Sequence, residues 1–266
     1  CKSEAKRVAD EFGIPIKILN KGLDYIEIIR KPKHGYGKAM NPCIDCRIYI
    51  HKLAKLYMEE IGASFIITGE VLGQRPMSQR REVFQIIEKE CGLEGLIVRP
   101  LSAQYLQPTI PEELGIIDRE KLMDMIGRSR KPQIALAEGL DIHNYPCPSG
   151  GCLLTDKIFS KRIRDLLEHK KDITTKDLYL LRVGRHFRLN KETKVIIGRD
   201  EDDNRKIINL AQHDNTLIEP LDFQGPTGLV CGPLENEMKP LVGGMILRYS
   251  GKKNNDDMGN ANKKTI

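Results

Sequence analysis

The sequence predicts an α/β protein in which a parallel sheet flanked by helices precedes a small α+β domain. Helical apolar spacing alternates with short buried strands in the first part of the chain, which indicates the parallel sheet. After Ser160, short strand candidates follow one another between turns, which indicates the second domain. We therefore expect domains at 1–160 and 161–250, and a tail at 251–266 that is disordered because it lacks apolar anchors.

The first domain is predicted from helices and strands that alternate along the chain. In order, the expected elements are helix 2–12, strand 16–19, a basic glycine-rich loop at 31–41, helix 45–61, strand 64–68, helix 79–91, strand 96–98 and two helices within 117–140, around Lys131-Pro132. Parallel strands of this kind bind ligands beyond their carboxyl ends, where Thr68-Gly69-Glu70 and Arg99-Pro100-Leu101 fall.

The second domain is predicted to consist mainly of short strands. The candidates are 178–183, 187–189, 194–197, 216–219, 228–231 and 245–249, with one helix at 202–211. A turn at 190–192 can join two of them as a hairpin. Because side chains alternate along a strand, Arg182, His186 and Arg188 are expected on one face, with Phe187 turned toward the core.

Positive charge is concentrated in this second domain. The whole chain has a formal charge of +6, but Lys157 to Arg199 contains 13 Lys or Arg against 5 Asp or Glu. Such a block suits a polyanion such as RNA, although a solvated surface is the alternative interpretation. The candidate RNA contacts are Arg182, Arg185, His186, Arg188 and Arg199.

Composition argues against a membrane or secreted protein. Hydrophobic residues make up 40% and charged residues 30% of the chain. Nowhere does an apolar run approach the ~20 residues that a membrane span needs, and the chain opens on no signal-peptide pattern. We therefore expect a cytoplasmic protein without a membrane partner, whose seven cysteines act as thiols or metal ligands rather than in disulfides.

Four of the cysteines form two close pairs. Cys43 and Cys46 stand three apart at the predicted start of a helix, where the helix dipole favours thiolates. This spacing serves a redox pair, a metal site or a nucleophile, although buried cysteines without a chemical role are also common. Cys147 and Cys152 flank glycines in a loop. A four-cysteine zinc site and a three-cysteine iron–sulfur cluster both remain open on this count.

Two further loops are candidates for phosphate binding. Ser149-Gly150-Gly151 has no strand leading into it, so we interpret it as support for Cys152. Gln74-Arg75 lies in a polar loop above the predicted sheet, where it could position a phosphate or a base edge. An ordinary polar loop is an equally good interpretation of Gln74-Arg75.

An ordered set of motifs resembles the catalytic half of the 4-thiouridine synthetase family of PP-loop ATPases over about residues 1–155. The motifs are Asn41-Pro42-Cys43, Cys46-Arg47, Thr68-Gly69-Glu70, Gly73-Gln74, Ser78-Gln79 and Arg99-Pro100-Leu101. Related PP-loop enzymes that make 2-thiouridine in tRNA share these motifs more loosely. Later in the chain, Gly184-Arg185-His186-Phe187-Arg188, Gly198-Arg199-Asp200 and Asn204 resemble the RNA-binding domain of NFACT-type proteins.

The resemblance implies ATP-dependent thiolation of a tRNA uridine. ATP with Mg²⁺ would activate a uridine carbonyl oxygen, and sulfur from sulfide or a persulfide carrier protein would then displace AMP. Thr68, Gly69 and Glu70 would bind ATP, and Gln74 and Arg75 are assigned to RNA. The family implies a [4Fe-4S] cluster or a cysteine persulfide, with Cys43, Cys46 and Cys152 as ligands and catalytic residues, Cys147 as the alternative third ligand and zinc as the alternative metal.

The family's PP-loop signature, Ser-Gly-Gly-x-Asp-Ser, belongs at the first strand-to-helix turn, which we expect to precede residue 1. Two alternatives to a tRNA sulfurtransferase therefore stay open. One is a non-catalytic RNA-binding adaptor with a structural zinc, and the other is a PP-loop ligase or amidotransferase that acts on a small molecule. Homodimerisation is open as well.

Overall fold

The computed structural model describes residues 2–143, 145, 151–251 and 263–264. The chain divides into two compact units, Cys1–Thr155 and Asp156–Ile266. The first contains a small parallel sheet and the second an antiparallel sheet, each accompanied by helices. Among the residues described, no helix is both long and apolar enough to cross a membrane.

The first unit is built from six helices and two short strands within its described residues. They are α1 (Lys2–Glu11), α2 (Tyr25–Arg30), α3 (Cys43–Glu60), β1 (Ile66–Ile67), α4 (Arg81–Cys91), β2 (Ile97–Val98), α5 (Ile110–Glu113) and α6 (Lys131–Gly139). β1 and β2 pair in parallel, with Ile66 opposite Ile97. The predicted strand–helix–strand step through α4 is thus confirmed.

α3 and α4 pack together on the short sheet. Their buried apolar residues, Ile44, Ile48 and Met58 from α3 and Val83, Ile87 and Cys91 from α4, form one cluster with Leu93 and Ile97. α4 ends at Gly92, which adopts the left-handed conformation (φ +60°) that commonly closes a helix. This packing fixes the amino terminus of α3 relative to the ends of β1 and β2.

Two predicted elements of the first unit are wrong. Residues 16–19 form no strand, and Ile16, Ile18 and Leu19 are exposed, because no described strand pairs with this segment. Pro132 does not separate two helices but lies in the first turn of α6. Proline is tolerated there because the N–H groups of the first turn make no hydrogen bond within the helix. Between residue 117 and the start of α6, the helical structure is a single short turn over Arg119–Lys121.

The second unit wraps helices around an antiparallel sheet. Its elements are α7 (Lys157–His169), α8 (Thr175–Leu180), β3 (Arg185–Arg188), β4 (Lys194–Ile197), α9 (Glu201–Leu210), β5 (Asn215–Ile218), β6 (Gly228–Cys231), α10 (Lys239–Tyr249) and β7 (Lys263–Lys264). The strand order is β3-β4-β6-β5-β7. β3 and β4 form the predicted hairpin, whose turn is held by Asn190 Oδ1 accepting hydrogen bonds from the amides of Glu192 and Thr193.

The two faces of this sheet have separate cores. On one face, Ile196, Leu217 and Leu229 pack with Leu180 and Val183 near α8 and with Ile207 of α9. On the other face, Val195, Ile197, Ile218 and Val230 pack with Val242 and Ile246 of α10. Phe187 packs against the second cluster, as predicted from strand alternation.

Two segments predicted as strands are helices. The segment 178–183 overlaps α8, which begins at a capping box between Thr174 and Asp177. The segment 245–249 is the end of α10, where Val242 and Ile246 stand four apart and face the sheet. Of the tail predicted to be disordered, Lys263 and Lys264 pair with β5, whereas 252–262 and 265–266 lie outside the described residues.

Candidate thiol site and nucleic-acid interface

Two thiols stand in the first turn of α3, each with a polar neighbour. Lys21 Nζ lies 3.0 Å from Cys46 Sγ, and Cys43 Sγ lies 3.2 Å from the hydroxyl oxygen of Ser78, which is fully buried. Both cysteines are half-buried. Lys21 therefore places a positive charge directly next to one sulfur of the pair, while the other contacts the loop that follows β1.

Tyr25 lies close enough to the candidate cysteines for their charges to affect its hydroxyl group. Burial, a hydrogen bond with Cys46 and the charges of Cys46, Cys152 and Cys43 all raise the pKa of Tyr25, so the phenol stays protonated. The ammonium group of Lys21 lies 4.0 Å from the centre of the Tyr25 ring. The charges of Cys43, Cys46 and Cys152 thus all affect the pKa of this one phenol, and their assignment as one ligand set stays a prediction.

The described residues do not present three or more His, Cys, Asp or Glu side chains to one metal ion. Cys147, the alternative third ligand, lies outside the described residues. The candidate thiol ligands among the described residues are Cys43, Cys46 and the exposed Cys152. A metal centre therefore remains a prediction, and the chemistry considered below rests on the thiols themselves.

A chain of alternating charges runs along the ends of β1 and β2. Glu70 is buried and its Oε2 lies 3.2 Å from Arg99 Nε, while its Oε1 lies 3.5 Å from Arg47 Nε. Arg99 also contacts Glu88 at 2.5 Å and lies 3.9 Å from the centre of the Phe84 ring. Arg47 directly follows Cys46, so this chain of charges begins beside the thiols.

Several buried polar atoms near these strand ends have no hydrogen-bond partner in the protein. They are Thr68 Oγ1, Glu70 Oε1, Gln74 Nε2, Gln79 Oε1 and Arg99 Nη2. Glu70 Oε1 still has the ion pair with Arg47, so four of these atoms have no polar partner at all. An unsatisfied buried polar group costs about 1–3 kcal/mol, so four in one region are not explained by packing alone. Donors and acceptors occur together, which fits a polar ligand such as a nucleotide or a nucleoside better than a simple anion.

The remaining residues predicted for this site have less direct roles. Gly69 is exposed and follows Thr68, whose amide donates to Val98 O at 3.0 Å. Arg75 is half-buried, and its carbonyl oxygen accepts a hydrogen bond from the amide of Gln79 at 3.0 Å. The structure thus places Thr68, Glu70 and Gln74 among the unsatisfied groups and gives Arg75 a visible main-chain role.

In the second unit, arginines gather around two glycine loops. Arg185 Nη1 donates to Gly198 O at 3.1 Å, and Arg162 Nη2 donates to Gly184 O at 2.8 Å. Gly184 has φ +66°, and a Cβ there would lie 2.6 Å from Ile197 O, so only glycine fits. The charge of Arg199 lowers the pKa of Arg162, second to burial, so these two guanidinium groups are neighbours.

Two of the predicted RNA contacts, Arg199 and Arg185, are held by other side chains as well. Arg199 pairs with Asp203, and its Nη2 lies 3.5 Å from Arg182 O. The guanidinium of Arg185 lies 4.6 Å from the centre of the Tyr249 ring. Arg182 itself is exposed. Sequence reasoning missed Arg162, whose only signal was its place in a basic helix.

The other two predicted RNA contacts, His186 and Arg188, face the helices. His186 Nε2 lies 2.8 Å from Val183 O, and burial, with the charges of Lys194 and Arg162, lowers the pKa of His186 to about 3. Arg188 donates two hydrogen bonds of 2.8 Å to the two carboxylate oxygens of Asp165. Arg182 does not share their strand, because β3 begins only at Arg185.

Part of the second unit matches a known protein family. Residues 184–262 match the family model of the NFACT protein RNA binding domain. The match begins at Gly184 and includes β3 to β6, α9 and α10, well under half of the chain. No curated protein and no solved structure matches the chain. The second unit is therefore similar to an RNA-binding domain, which agrees with its arginine-bearing glycine loops.

Proposed function

We propose that this chain is an ATP-dependent tRNA sulfurtransferase, which replaces a carbonyl oxygen of uridine with sulfur. The observation that carries the proposal is that two contacts join the thiols to the unsatisfied polar groups. Cys43 reaches Ser78 in the loop after β1, and Arg47, next to Cys46, reaches Glu70. A sulfur nucleophile and a polar ligand pocket would therefore share one edge of the parallel sheet, as a PP-loop ATPase fold requires.

The first step of this reaction needs ATP. The uridine oxygen attacks the α-phosphorus, pyrophosphate leaves, and the oxygen becomes part of a good leaving group. Thr68, Gly69 and Glu70 line the proposed nucleotide pocket, since they follow β1 at its carboxyl end. Mg²⁺ bound with ATP would neutralise phosphate charge during this step.

The second step uses the thiols. Cys46 takes the outer sulfur of a persulfide donor, whose own thiolate leaves, and the resulting Cys46 persulfide attacks the activated uridine carbon while AMP departs. Cys43 then attacks the sulfur of Cys46, which forms a disulfide and releases the thiolated base. An external dithiol has to reduce that disulfide. Lys21 is placed to stabilise negative charge on the Cys46 sulfur. The Tyr25 hydroxyl group, which stays protonated, donates a hydrogen bond to the same sulfur.

The similarity of the second unit to an RNA-binding domain supports tRNA as the substrate. Arg162, Arg182, Arg185 and Arg199 around the two glycine loops provide the positive surface. Guanidinium groups on a rigid turn bind phosphates and so hold a folded RNA by its shape more than by its sequence.

Mass spectrometry of tRNA nucleosides tests the proposal. Cells that lack the gene should lose one thiouridine, and the wild-type gene should restore it. A Cys46→Ser variant should restore less than about 1% of it, since the nucleophile is gone. Cys91→Ser is the matched control, because Cys91 is buried in the apolar cluster of α3 and α4 and hydrogen-bonded to Ile48 O at 3.3 Å.

Two outcomes would contradict the proposed function. An unchanged nucleoside profile without the gene rejects thiolation. Full rescue by Cys46→Ser rejects the thiol mechanism. Metal analysis of the purified protein adds a separate result, because iron with acid-labile sulfide supports the cluster prediction and zinc bound by four thiolates supports the adaptor alternative.

A further inference from the structure

The second unit contains a cavity that the proposed RNA surface does not use. It lies between α7, α8 and the strands β3 to β6, and has a volume of about 180 Å³. At about 30 Å³ for each water molecule, this space equals about six waters, and it is smaller than the roughly 300 Å³ at which drug-sized pockets begin. It therefore suits a single ring system rather than a large ligand.

The charges around this cavity nearly cancel. Lys170 pairs with Asp177 at 2.9 Å, and Lys194 pairs with Asp165 at 2.7 Å. Arg188 is bonded to both oxygens of Asp165. Two exposed carboxylates, Glu192 and Asp214, stand at the rim. Since every cation is paired and the rim is acidic, a phosphate group is disfavoured and a neutral polar ligand is favoured.

The walls of the cavity combine apolar side chains with the flat guanidinium group of Arg188. Leu166, Leu180, Leu181 and Ile196 provide the apolar part. Arg188 also lines the cavity, and its two hydrogen bonds to Asp165 hold the guanidinium group rigid. RNA-binding proteins commonly stack an unpaired base on such a guanidinium plane.

His186, a further lining residue, leaves one buried acceptor without a partner. Its Nε2 lies within hydrogen-bond distance of Val183 O and Leu180 O, so Nε2 carries the hydrogen and Nδ1 is the free acceptor. Nδ1 is buried and has no hydrogen-bond partner. An acceptor in this state favours a ligand that brings an N–H donor. Each of the four RNA bases does so, through the amino group of A, C or G or the ring N–H of G or U.

We propose that this cavity receives one unstacked nucleobase of the bound RNA. The inference rests on the proposed RNA binding of the second unit and extends it. The arginines of the glycine loops hold phosphates, whereas the cavity takes a base between apolar walls and the Arg188 plane. Binding then requires a single-stranded or flipped-out nucleotide, because a base inside a duplex cannot enter the cavity.

Cys231 provides a reporter inside the cavity. It lines the cavity and is the only cysteine in the sequence after Cys152. Burial raises the pKa of the Cys231 thiol to about 11, so alkylation is slow but proceeds in mildly alkaline buffer. The rate of its modification by N-ethylmaleimide, measured by mass spectrometry of the peptide that carries it, reports whether the cavity is filled.

The experiment compares two oligomers on the full chain. One is a mixed-sequence RNA of about ten nucleotides, and the other is an abasic ribose-phosphate oligomer of the same length. At ten times its Kd, the RNA should slow alkylation of Cys231 by about ten-fold, because only about one cavity in eleven remains open. The abasic oligomer should bind to the arginines at similar salt sensitivity and leave the alkylation rate unchanged.

Each of the other outcomes would overturn the proposed base pocket. Unchanged alkylation at saturating RNA overturns the base pocket while leaving RNA binding intact. Equal protection by both oligomers makes a phosphate the occupant and also overturns the proposal. If neither oligomer binds, the RNA-binding function of this unit fails, and the base pocket fails with it.

A cavity-filling variant gives an independent test. Leu166→Phe should reduce affinity for RNA to that for the abasic oligomer, because the added ring occupies the cavity. Leu167→Phe is the matched control, since Leu167 is the next residue of α7 and is equally buried (8% exposed for each) but does not line the cavity. If Leu166→Phe still prefers RNA as strongly as the control does, the base binds elsewhere.

Discussion

The strand ends of the first unit and the network around Asp165 in the second unit differ in how their buried polar groups are satisfied. At the strand ends of the first unit, five buried polar atoms have no hydrogen-bond partner in the protein. Around Asp165 in the second unit, both carboxylate oxygens are used by Arg188, and Lys194 adds a third hydrogen bond. Unsatisfied groups cost stability unless a ligand completes them, whereas satisfied ones hold the fold. The strand ends of the first unit therefore have the properties of a site that a ligand completes, whereas the Asp165 network holds Arg188 and Lys194 rigid without a ligand.

The largest effect on stability should come from removing Asp165, the centre of the hydrogen-bonded network with Arg188 and Lys194. Asp165→Ala leaves Arg188 and the largely buried Lys194 without their shared carboxylate. The free energy of unfolding should fall by about 3 kcal/mol, the lower end for breaking a buried ion pair, as measured by urea denaturation. In Asp202→Ala, an exposed partner of Lys206 is lost, and a change below about 0.5 kcal/mol is expected. Similar losses in both variants would contradict a structural role specific to Asp165.

His186 should make stability depend on pH. Its folded-state pKa of about 3 lies below the value of about 6.5 in the unfolded chain, so the unfolded state binds the proton first as pH falls. Between about pH 7.5 and pH 5, this group alone should remove about 2 kcal/mol of stability. His186→Gln should flatten that part of the urea-midpoint profile, whereas a variant of the exposed His213 should keep it. An unchanged slope in His186→Gln would show that the ring is not buried as described.

Two threonines with buried hydroxyl groups, one in each unit, allow the stability effects of satisfied and unsatisfied groups to be compared directly. Thr193 is fully buried and its Oγ1 donates to Pro233 O at 2.6 Å, so Thr193→Val should cost about 1–2 kcal/mol in unfolding free energy. Thr68 Oγ1 has no partner, so Thr68→Val should leave the stability of the ligand-free protein unchanged or slightly raised. The same variant should weaken ATP binding measured by calorimetry. If Thr68→Val destabilises the protein as much as Thr193→Val, the unsatisfied state of Thr68 is refuted.

The smallest effects concern the RNA surface. Changing Arg182 and Arg185 together to Ala should lower the slope of log affinity for tRNA against log salt by about 1.5, the loss of two phosphate contacts. Arg188→Ala should leave that slope in place and reduce stability instead, because Arg188 is bonded to Asp165. A salt slope that falls in Arg188→Ala, in a folded protein, would return Arg188 to the RNA surface.

Much of the fold could be predicted from local patterns. β4 and β6 match their predicted limits, because continuous apolar runs bounded by polar turns define a buried strand. Residues 178–183 and 245–249, which overlap the ends of α8 and α10, were predicted as strands, because apolar runs of five or six residues are too short for their period to separate the two structures. The capping box at Thr174 and the proline at the start of α10 were the signals that could have decided for a helix.

The candidate site could be predicted only in part. The spacing of Cys43 and Cys46 indicated the reactive pair, but Lys21 and Tyr25 lie 25 and 21 residues before Cys46 and carry no motif. Their contact with Cys46 depends on tertiary packing, which residue spacing does not encode. Similarly, strand alternation grouped His186 with Arg188, but which face the helices cover could not be inferred from that period.

β7 has a consequence for self-association. β5 would be an edge strand of the sheet without it, since β6 pairs with only one side of β5. An open edge presents unpaired amide and carbonyl groups to any other chain that can add a strand. Lys263 and Lys264 pair with Ile218 and Leu217 of β5 and so cover this edge at those two residues. Shortening the chain before Lys263 should therefore convert a capped sheet into one that can polymerise edge to edge.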